Sequence, residues 1–405
     1  MARSFGRFVM KRILLFFCLL FVFTEAHAIS WKIRPSADLR TDVMKLIKEF
    51  TENFPQDAAV ARAKEILADE TLQTDVHAWM KPTMDLALDI LDRHPVSPDN
   101  EAIRKAALMI LDYPIHVNNK ADEPDVNEKW QSMIAYYQQR ALKKLAETVK
   151  KTVVPAGKLA IWKVYNMGYI IKSEHHCIAW DIVRTNGLGQ HVNELNEPMA
   201  ELLKEIECMF ISHCHGDHLQ MWCAWRILKD GKPVFTPEIP PRKEAPAPNR
   251  EDKRFTYVWE SKEVPAEGYK DIKFKVVPGH QGPLLCSLFS VTIDGLTIIQ
   301  TGDNQDKTVF DHFAELGRVD VLIGTCWSFI PRNCLEVAKS CKGDGIERPQ
   351  FYITAHENEM GHPPTNRESF QETYTRLGDR SKLPMPSFIL NIGEGIWYPE
   401  GKAIQ

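Results

Sequence analysis

The sequence predicts a mixed α/β domain preceded by an all-helical N-terminal region. From about residue 39 to residue 151, apolar residues recur with the spacing of one helix face. Near Pro155 the pattern changes to short apolar stretches with strand-like alternation. A dense group of histidine and aspartate side chains, at 213–218, then follows directly on one of those stretches. These observations place the chemistry of the chain in its second part.

Composition favours a globular protein. The chain has 405 residues, 44% of them apolar and 26% charged, enough for two or three ordinary domains. The net charge is −4, and because residues 1–28 contribute +3, the remainder carries −7. This balance does not favour a nucleic-acid partner.

Residues 1–28 have the pattern of a secretory signal peptide. A basic start precedes an apolar run over 13–23, and Ala26-His27-Ala28 matches a small-x-small cleavage site. The run of 11 residues is shorter than the roughly 20 that a spanning helix needs. We therefore expect cleavage after Ala28, with an uncleaved anchor as the alternative. The mature protein is expected to be periplasmic or extracellular, with no stable membrane span.

Eight cysteines remain after removal of the signal. Cys334 and Cys341 form the closest plausible disulfide in an oxidising compartment. No CxxC spacing occurs, so the sequence does not support a cysteine-rich structural zinc site.

The region 29–152 is predicted to be a helical N-terminal domain. Its apolar residues follow helical spacing, with prolines between the segments. We interpret it as a bundle or cap, with a partner-binding or substrate-gating domain as the alternative. The residues with this spacing are Val43, Leu46, Ile47 and Phe50, then Ile103, Ala107, Ile110 and Leu111, then Trp130, Ile134, Tyr137 and Ala141.

The region 153–405 is predicted to be the catalytic domain. Asp294-Gly295 between two apolar stretches predicts a hairpin. Helices are expected over 197–206 and from Thr365, where Thr365 and Glu368 match a capping box. A proline-rich segment over 236–249 predicts a long loop, either a surface connection or a border of the site. Strands are expected over 159–171, 177–183, 208–211, 272–276, 290–293, 296–299, 319–323, 351–354 and 388–392.

The segment His213-Cys214-His215-Gly216-Asp217-His218 carries the main chemical signal. Histidines two apart on an extended backbone point the same way, so His213 and His215 can bind one ion. Asp217 and His218, beyond the turn, can reach a neighbouring ion. Imidazole and carboxylate ligands suit zinc, with manganese or iron as alternatives.

Further ligands are expected just past the ends of other predicted strands. His280, Asp303 and His356 each occupy such a position. His362 competes with His356 as the last ligand, but His356 follows the apolar strand directly and is preferred. The Gly-His-Pro-Pro loop of His362 suits a histidine that faces the substrate or protonates a leaving group, with a surface histidine as the alternative.

The ligand order HxHxDH, His, Asp, His resembles that of the metallo-β-lactamase superfamily. The resemblance covers the chain from about Lys158 to the C-terminus and implies a four-layer αββα sandwich with the metals at the edge between the sheets. Asp181 is similar to the early structural aspartate of the family. The helical region before Pro155 is not explained by the resemblance.

The resemblance also implies a role for each ligand. A water between two metal ions would be the nucleophile, with Asp217 orienting it, and Asp217, Asp303 and His362 are the predicted catalytic residues. The implied ligands are His213, His215 and His280 for the first ion, Asp217, His218 and His356 for the second, and Asp303 bridging them.

Asp303 resembles the bridging aspartate of the superfamily's lactonases, phosphodiesterases and thioesterases. The amino-acid sequence of the motif is most similar to that of the branch of ascorbate-phosphate lactonase-like and phospholipase D-like hydrolases. Cleavage of a lactone, phosphodiester or other ester is therefore expected. The alternatives are a β-lactamase-type amide hydrolase and an iron-loaded redox or binding protein on the same scaffold.

Overall fold

A computed structural model describes residues 34–75, 77–118, 124–185, 187–237, 255–258, 264–265, 271–326 and 350–404. These residues form two compact units. The first contains the described residues up to His94 together with Pro98–Asn118, and the second contains Pro95–Ser97 together with the described residues after Asn118. The predicted signal peptide, most of the proline-rich segment, Cys334 and Cys341 lie outside the described residues.

The first unit is helical, as the apolar spacing predicts. Val43, Ile47 and Phe50 lie on one buried face, and Ile103, Ala107, Ile110 and Leu111 on another. Asp69 caps the third helix by accepting hydrogen bonds from the backbone of Thr71 and Leu72. The helices are α1 (Ser36–Asn53), α2 (Ala59–Ala68), α3 (Glu70–Thr74), α4 (Met80–Arg93) and α5 (Glu101–Ile115).

The last helix of the predicted N-terminal domain belongs to the second unit. This helix, α6 (Pro124–Lys151), buries Trp130, Ile134 and Tyr137 and packs against helix α7 (Asn196–Lys204). The predicted helical stretch 29–152 is thus divided between the two units, and the boundary at 152/153 stays a prediction.

The first sheet of the second unit has the strand order β17-β16-β1-β2-β3-β4-β5-β6. Strands β3 to β6 run parallel to one another, and the remaining pairs are antiparallel. Helix α8 (Met221–Lys229) packs on β4 and β5. The strands are β1 (Leu159–Tyr165), β2 (Gly168–Lys172), β3 (Cys177–Trp180), β4 (Cys208–Phe210), β5 (Val234–Thr236), β6 (Thr256–Tyr257), β16 (Gly395–Tyr398) and β17 (Lys402–Ala403).

The second sheet has the strand order β15-β14-β13-β12-β11-β8-β7. Strands β12 to β15 run parallel, and β7, β8, β11 and β12 pair antiparallel. The strands are β7 (Val264–Pro265), β8 (Lys273–Val277), β11 (Leu288–Ile293), β12 (Leu296–Gln300), β13 (Val321–Thr325), β14 (Phe351–Ala355) and β15 (Ser387–Phe388), and a separate pair is β9 (His280–Gln281) with β10 (Leu284–Leu285). Helices α9 (Phe313–Leu316) and α10 (Phe370–Leu377) follow β12 and β14.

The two sheets share one hydrophobic core. Phe210 of the first sheet contacts the rings of Phe274 and Phe289 of the second at centroid distances of 5.2 and 5.3 Å. Tyr169 donates a hydrogen bond across the layers to the carbonyl oxygen of Thr354 at 2.7 Å. The second unit is therefore a mixed α/β sandwich of the predicted metallo-β-lactamase-like kind.

Three local predictions were wrong. The strand expected over 388–392 is limited to Ser387–Phe388. The apolar stretch 159–171 is two strands, because Asn166 adopts a left-handed φ of 51° and turns the chain between β1 and β2. The helix expected from Thr365 begins instead at Phe370. Ser369 and Glu372 form its capping box, four residues later than predicted. The Asp294-Gly295 hairpin is confirmed, with both residues at positive φ.

Parallel strands place the polar loops at one edge of the sandwich. The loops after β3, β4, β12 and β14 follow the carboxyl ends of parallel strands, and such ends meet at a common edge. The backbone N–H of Ser287 donates to the carbonyl oxygen of Ser212 at 2.9 Å and joins the two sheets there.

Among the described residues, no helix has the length and apolar character to cross a membrane.

Candidate metal centre

Asp181 organises the loop that carries the histidine motif. It follows β3 at a φ of 45°, and its carboxylate accepts hydrogen bonds from the backbone N–H and the hydroxyl of Ser212 at 2.8 and 2.7 Å. Its Oδ2 also lies 2.9 Å from Nδ1 of His218. This contact turns Nε2 of His218 towards the other predicted ligands, as a carboxylate behind a metal-binding histidine does.

Gly302 allows the loop of Asp303 to approach the loop of His213. Its φ is 53°, and a Cβ at this position would lie 2.5 Å from Cβ of Ser212. A side chain at Gly302 would therefore push the loops of the two sheets apart. The absence of one lets the buried Asp303 reach the histidines of the first sheet.

His356 follows β14 directly and has a left-handed φ of 73°. Its backbone N–H donates to the carbonyl oxygen of Asn166 at 3.3 Å. A non-glycine residue in this region is strained, and such strain concentrates at functional sites. The turn between β1 and β2 thus holds the last predicted ligand in place.

Six of the seven predicted ligands lie together in two groups that share Asp303. In each group the candidate ligand atoms lie within 4.8 Å of one another. Apart from His215, the ligands are buried. The two groups are Asp217, His218, Asp303 and His356, and His213, His215 and Asp303.

The carboxylates of Asp217 and Asp303 face the same two imidazoles. Oδ2 of Asp303 lies 3.2 Å from Nε2 of His218, 3.1 Å from Nε2 of His356 and 4.0 Å from Nε2 of His213. Oδ2 of Asp217 lies 3.2 and 3.3 Å from the first two of those nitrogens. Four buried groups therefore converge on one small volume.

Burial and mutual charge shift the pKa values of this cluster in opposite directions. Burial alone would lower the pKa of His218, but Asp303, Asp217 and Asp181 raise it well above its usual range. The same competition raises the pKa of His356 to about 10. Burial would raise the pKa of Asp303, but His218 and His356 lower it far below its usual value. The pKa of His213 is lowered by burial and by His218.

Several ligand atoms are buried without a hydrogen bond from any described residue. These atoms are Nε2 of His213, Nε2 of His218 and Oδ1 of Asp303. Buried polar atoms normally have a partner, and unsatisfied ones indicate a missing ion or water. Imidazole nitrogens and carboxylate oxygens are zinc ligands, so the donor set fits a divalent metal. The cluster can therefore hold metal ions.

His280 is the predicted ligand that does not join either group. It lies in β9, its side chain is 46% exposed, and its Nδ1 is 3.5 Å from Oδ2 of Asp306. The expectation that it points into the cluster with His213 and His215 is thus not met. Its neighbour Gln281 reaches the centre instead, because Nε2 of Gln281 donates to Oδ2 of Asp303 at 3.1 Å.

His362 lies outside both groups and is paired with a buried carboxylate. Nδ1 of His362 is 3.1 Å from Oε2 of Glu359, and the His362 side chain is 46% exposed while that of Glu359 is 2% exposed. Glu359 also accepts hydrogen bonds from the backbone N–H groups of Gly361 and His362. This arrangement orients an accessible imidazole in the loop that follows His356.

The residues that support the ligands were not predicted from the sequence. Nδ2 of Asn166 donates to Oδ2 of Asp217 at 2.9 Å, so one turn contacts two predicted ligands. Lys163 forms a buried ion pair with Glu357, the residue after His356. Tyr165 accepts a hydrogen bond from the backbone N–H of Met360 at 2.8 Å. A lysine within an apolar strand was the available signal for the ion pair.

No family model matches the chain, and no curated protein matches it. Among solved structures, 58 chains match. Igni18, a metallo hydrolase from Ignicoccus hospitalis, is 14% identical with a TM-score of 0.42, over 60% of this chain and 98% of that chain. The metallo-β-lactamase fold protein YhfI from Bacillus subtilis is 12% identical with a TM-score of 0.39, over 59% and 99%.

A third similar structure is CmlA, a diiron β-hydroxylase from Streptomyces venezuelae. It is 15% identical with a TM-score of 0.37, over 59% of this chain and 54% of that chain. All three TM-scores lie below 0.5. The sandwich of the second unit is defined by the strand order of its two sheets.

Proposed function

We propose that this chain is a dinuclear metal-dependent hydrolase of the metallo-β-lactamase type that cleaves a small ester, such as a lactone or a phosphodiester. The observation that carries the proposal is the pair of ligand groups that share Asp303, buried at the edge of the sandwich. A carboxylate shared by two groups is suited to bridging two ions. Structural zinc sites, in contrast, are usually closed by four ligands around one ion.

His213, His215 and Asp303 would hold one ion, and Asp217, His218, Asp303 and His356 the other. Zinc is the proposed metal because of the imidazole and carboxylate ligands, with manganese or iron as alternatives. When bound, two such ions make a water nucleophilic at neutral pH and polarise the oxygen of the bond under attack.

The protein's own groups position these ligands and move protons. Asp181 fixes the orientation of His218, and Asn166 holds one oxygen of Asp217. Asp217 is proposed to orient the attacking water. His362 is proposed to protonate the leaving group, because its Nδ1 faces Oε2 of Glu359 at 3.1 Å and its side chain is 46% exposed.

The proposal is tested with the purified protein lacking residues 1–28. Its metal content is measured, and it is assayed against lactones, phosphodiesters, thioesters and β-lactams with a His213→Ala control. Two zinc or manganese ions per chain and ester cleavage that is lost in the control are expected. Coupled iron would instead indicate redox chemistry, β-lactam cleavage alone would indicate an amide hydrolase, and activity that survives in the control would contradict the mechanism.

Export is part of the proposal. The basic start, the short apolar run and Ala26-His27-Ala28 support a cleaved signal peptide. N-terminal sequencing of the exported protein should give a chain that begins at Ile29. An intact N-terminus on a membrane-associated protein would contradict cleavage.

A further inference from the structure

Two arginines and a tryptophan form a cationic cluster beside the loop of the metal ligands. The guanidinium carbon of Arg184 lies 4.0 Å from the ring centroid of Trp222, and that of Arg226 lies 3.3 Å from the same centroid. Trp222 and Arg226 are one turn apart on α8. The same indole thus makes a cation–π contact with each of the two guanidinium groups.

The hydrogen bonds of the cluster fix Arg184 and leave Arg226 available. Arg184 donates from Nε to Oε1 of Gln220 at 3.0 Å and from Nη1 to Oδ1 of Asn196. Both acceptors are neutral amides. Within the described part of the chain, no hydrogen bond or ion pair involves the guanidinium of Arg226, and no carboxylate pairs with either arginine.

The positive charge of the cluster is therefore not neutralised by the described residues. Arg184 is 8% exposed. Burial lowers its pKa, and the neighbouring charge of Arg226 lowers it further. Most buried arginines are paired with carboxylates or phosphates, because desolvation of a lone guanidinium is costly. Two guanidinium groups on one indole, with no carboxylate partner among the described residues, are suited to bind an oxyanion.

The cluster is close to the metal ligands along the chain. Gln220, which binds Arg184, is two residues after His218, so their Cα atoms are at most about 8 Å apart. Arg184 itself is three residues after Asp181, the residue that orients His218. Arg184 is thus anchored to the same loop that carries His218.

We infer that Arg184 and Arg226, stacked on Trp222, form a subsite for a phosphate group of the substrate. The substrate class is then a phosphate-bearing ester. The phosphate is either part of the bond that is cleaved or a separate group of the same molecule. Planar guanidinium groups bind phosphate oxygens in pairs, and the indole keeps both in place. The link to a substrate rests on the proposed function, whereas the binding of phosphate does not.

The test is a calorimetric titration of the full chain with inorganic phosphate, with its metals and after chelation. In the chelated protein, phosphate cannot bind to metal ions, so any remaining binding is to the protein itself. We expect binding in the chelated arm that is about tenfold weaker in Arg226→Gln and intermediate in Arg226→Lys. The matched control is Lys229→Gln, which removes the same charge from an exposed position of α8 and should leave binding unchanged. Unchanged melting temperatures show that the variants fold.

The subsite is overturned if the chelated protein does not bind phosphate, or if Arg226→Gln and Lys229→Gln behave alike. A kinetic comparison links it to catalysis. In the metal-loaded enzyme, Arg226→Gln should raise KM about tenfold for a phosphate-bearing ester and leave kcat, and both constants for a neutral lactone, unchanged. Arg226-dependent phosphate binding without hydrolysis of any ester would retain the subsite and reject the proposed function. Ester hydrolysis together with phosphate binding that is unchanged in Arg226→Gln would retain the proposed function and reject the subsite.

Discussion

Two groups of buried charge meet at consecutive residues of the chain, and they are balanced in different ways. His356 belongs to the ligand cluster, and Glu357 belongs to an ion pair with Lys163 whose side chains are 1% and 0% exposed. The ion pair contains its own cation. In the ligand cluster, the buried carboxylates of Asp217 and Asp303 face the imidazoles of His218 and His356, which are also metal-binding groups. The Lys163–Glu357 pair therefore serves the fold alone, whereas the charges of the ligand cluster can also serve metal binding.

This comparison gives a physical criterion for the two roles. A buried carboxylate costs several kcal/mol unless it is paired, so Glu357 depends on Lys163 at all times. Asp303 is compensated by protonated imidazoles in the absence of metal, since the pKa of His356 is raised to about 10. A divalent ion can replace those protons. Changes to the two groups should therefore affect metal binding and folding differently.

The largest effect is expected for Asp303→Asn. The amide keeps the shape of the side chain but removes the charge that both ligand groups share. We expect metal content to fall below that of the unaltered protein and kcat/KM to fall roughly a thousandfold or more. Metal analysis and ester hydrolysis measure these effects. A variant that retains two ions and full activity would contradict the bridging role.

The next largest effect is expected for Lys163→Met, and it concerns folding. The substitution leaves the Glu357 carboxylate buried without its cation and should lower the free energy of unfolding by about 3–5 kcal/mol. Urea unfolding of the metal-free protein measures it.

Two variants control for this result. Lys158→Met breaks the partly exposed pair with Glu400 and should cost no more than about 1 kcal/mol. The double variant Lys163→Met, Glu357→Leu should regain most of the stability, because neither charge is then buried alone. Equal losses for Lys163→Met and Lys158→Met would mean that burial of the ion pair is not the decisive factor.

A smaller effect is expected for Asn166→Gly, which acts on the ligands through their support. Glycine tolerates the left-handed φ of 51° but cannot donate to Asp217. We expect metal affinity to fall about 10- to 100-fold, as for other residues that orient ligands. Competition with a chromophoric chelator measures the affinity. An unchanged affinity would show that Asp217 needs no such support.

The smallest effect is expected at the surface pair of Asp294 and His175. A hydrogen bond to Asp294 raises the pKa of His175. Burial would raise the pKa of Asp294, but hydrogen bonds from Ser173 and His175 lower it. The contribution of Asp294 to the free energy of unfolding is lost as pH falls through its lowered pKa. The contribution of His175 is lost as pH rises through its raised pKa.

Stability curves of the unaltered protein and Asp294→Asn test this pair. Their difference should be largest between about pH 4 and pH 6.5, near the two unperturbed values, and should shrink outside that window. Asparagine retains the preference for positive φ that the turn requires. A difference that does not vary with pH would mean that the pair contributes through packing rather than charge.

The sequence was sufficient for features whose signal is local. The spacing of His213, His215, Asp217 and His218 predicts ligands, and Asp294-Gly295 predicts a hairpin, because both depend on a few adjacent residues. Asp303 and His356 were predicted from their positions at strand ends, and the structure brings both to the motif. Among the described residues, the element types of the long periodic segments also agree with the sequence.

Features that depend on distant partners were not predictable in the same way. The hydrogen bond from Asn166 to Asp217 joins residues 51 apart, and the pair of Lys163 and Glu357 joins residues 194 apart. The start of α10 at Phe370 was misplaced because Thr365 and Glu368 present the same local pattern as its capping box, Ser369 and Glu372. The side chain of His280, in β9, contacts Asp306, which lies 26 residues further along the chain.

The left-handed backbone of His356 combines local strain with a charge that the buried carboxylates use. An imidazole at a φ of 73° is strained by about 1–3 kcal/mol, and glycine at the same position would be relaxed. Glycine would, however, leave Asp217 and Asp303 without one of the imidazoles that face them. The residue type that suits the backbone at position 356 is therefore not the type that the neighbouring carboxylates need, whether or not a metal is bound.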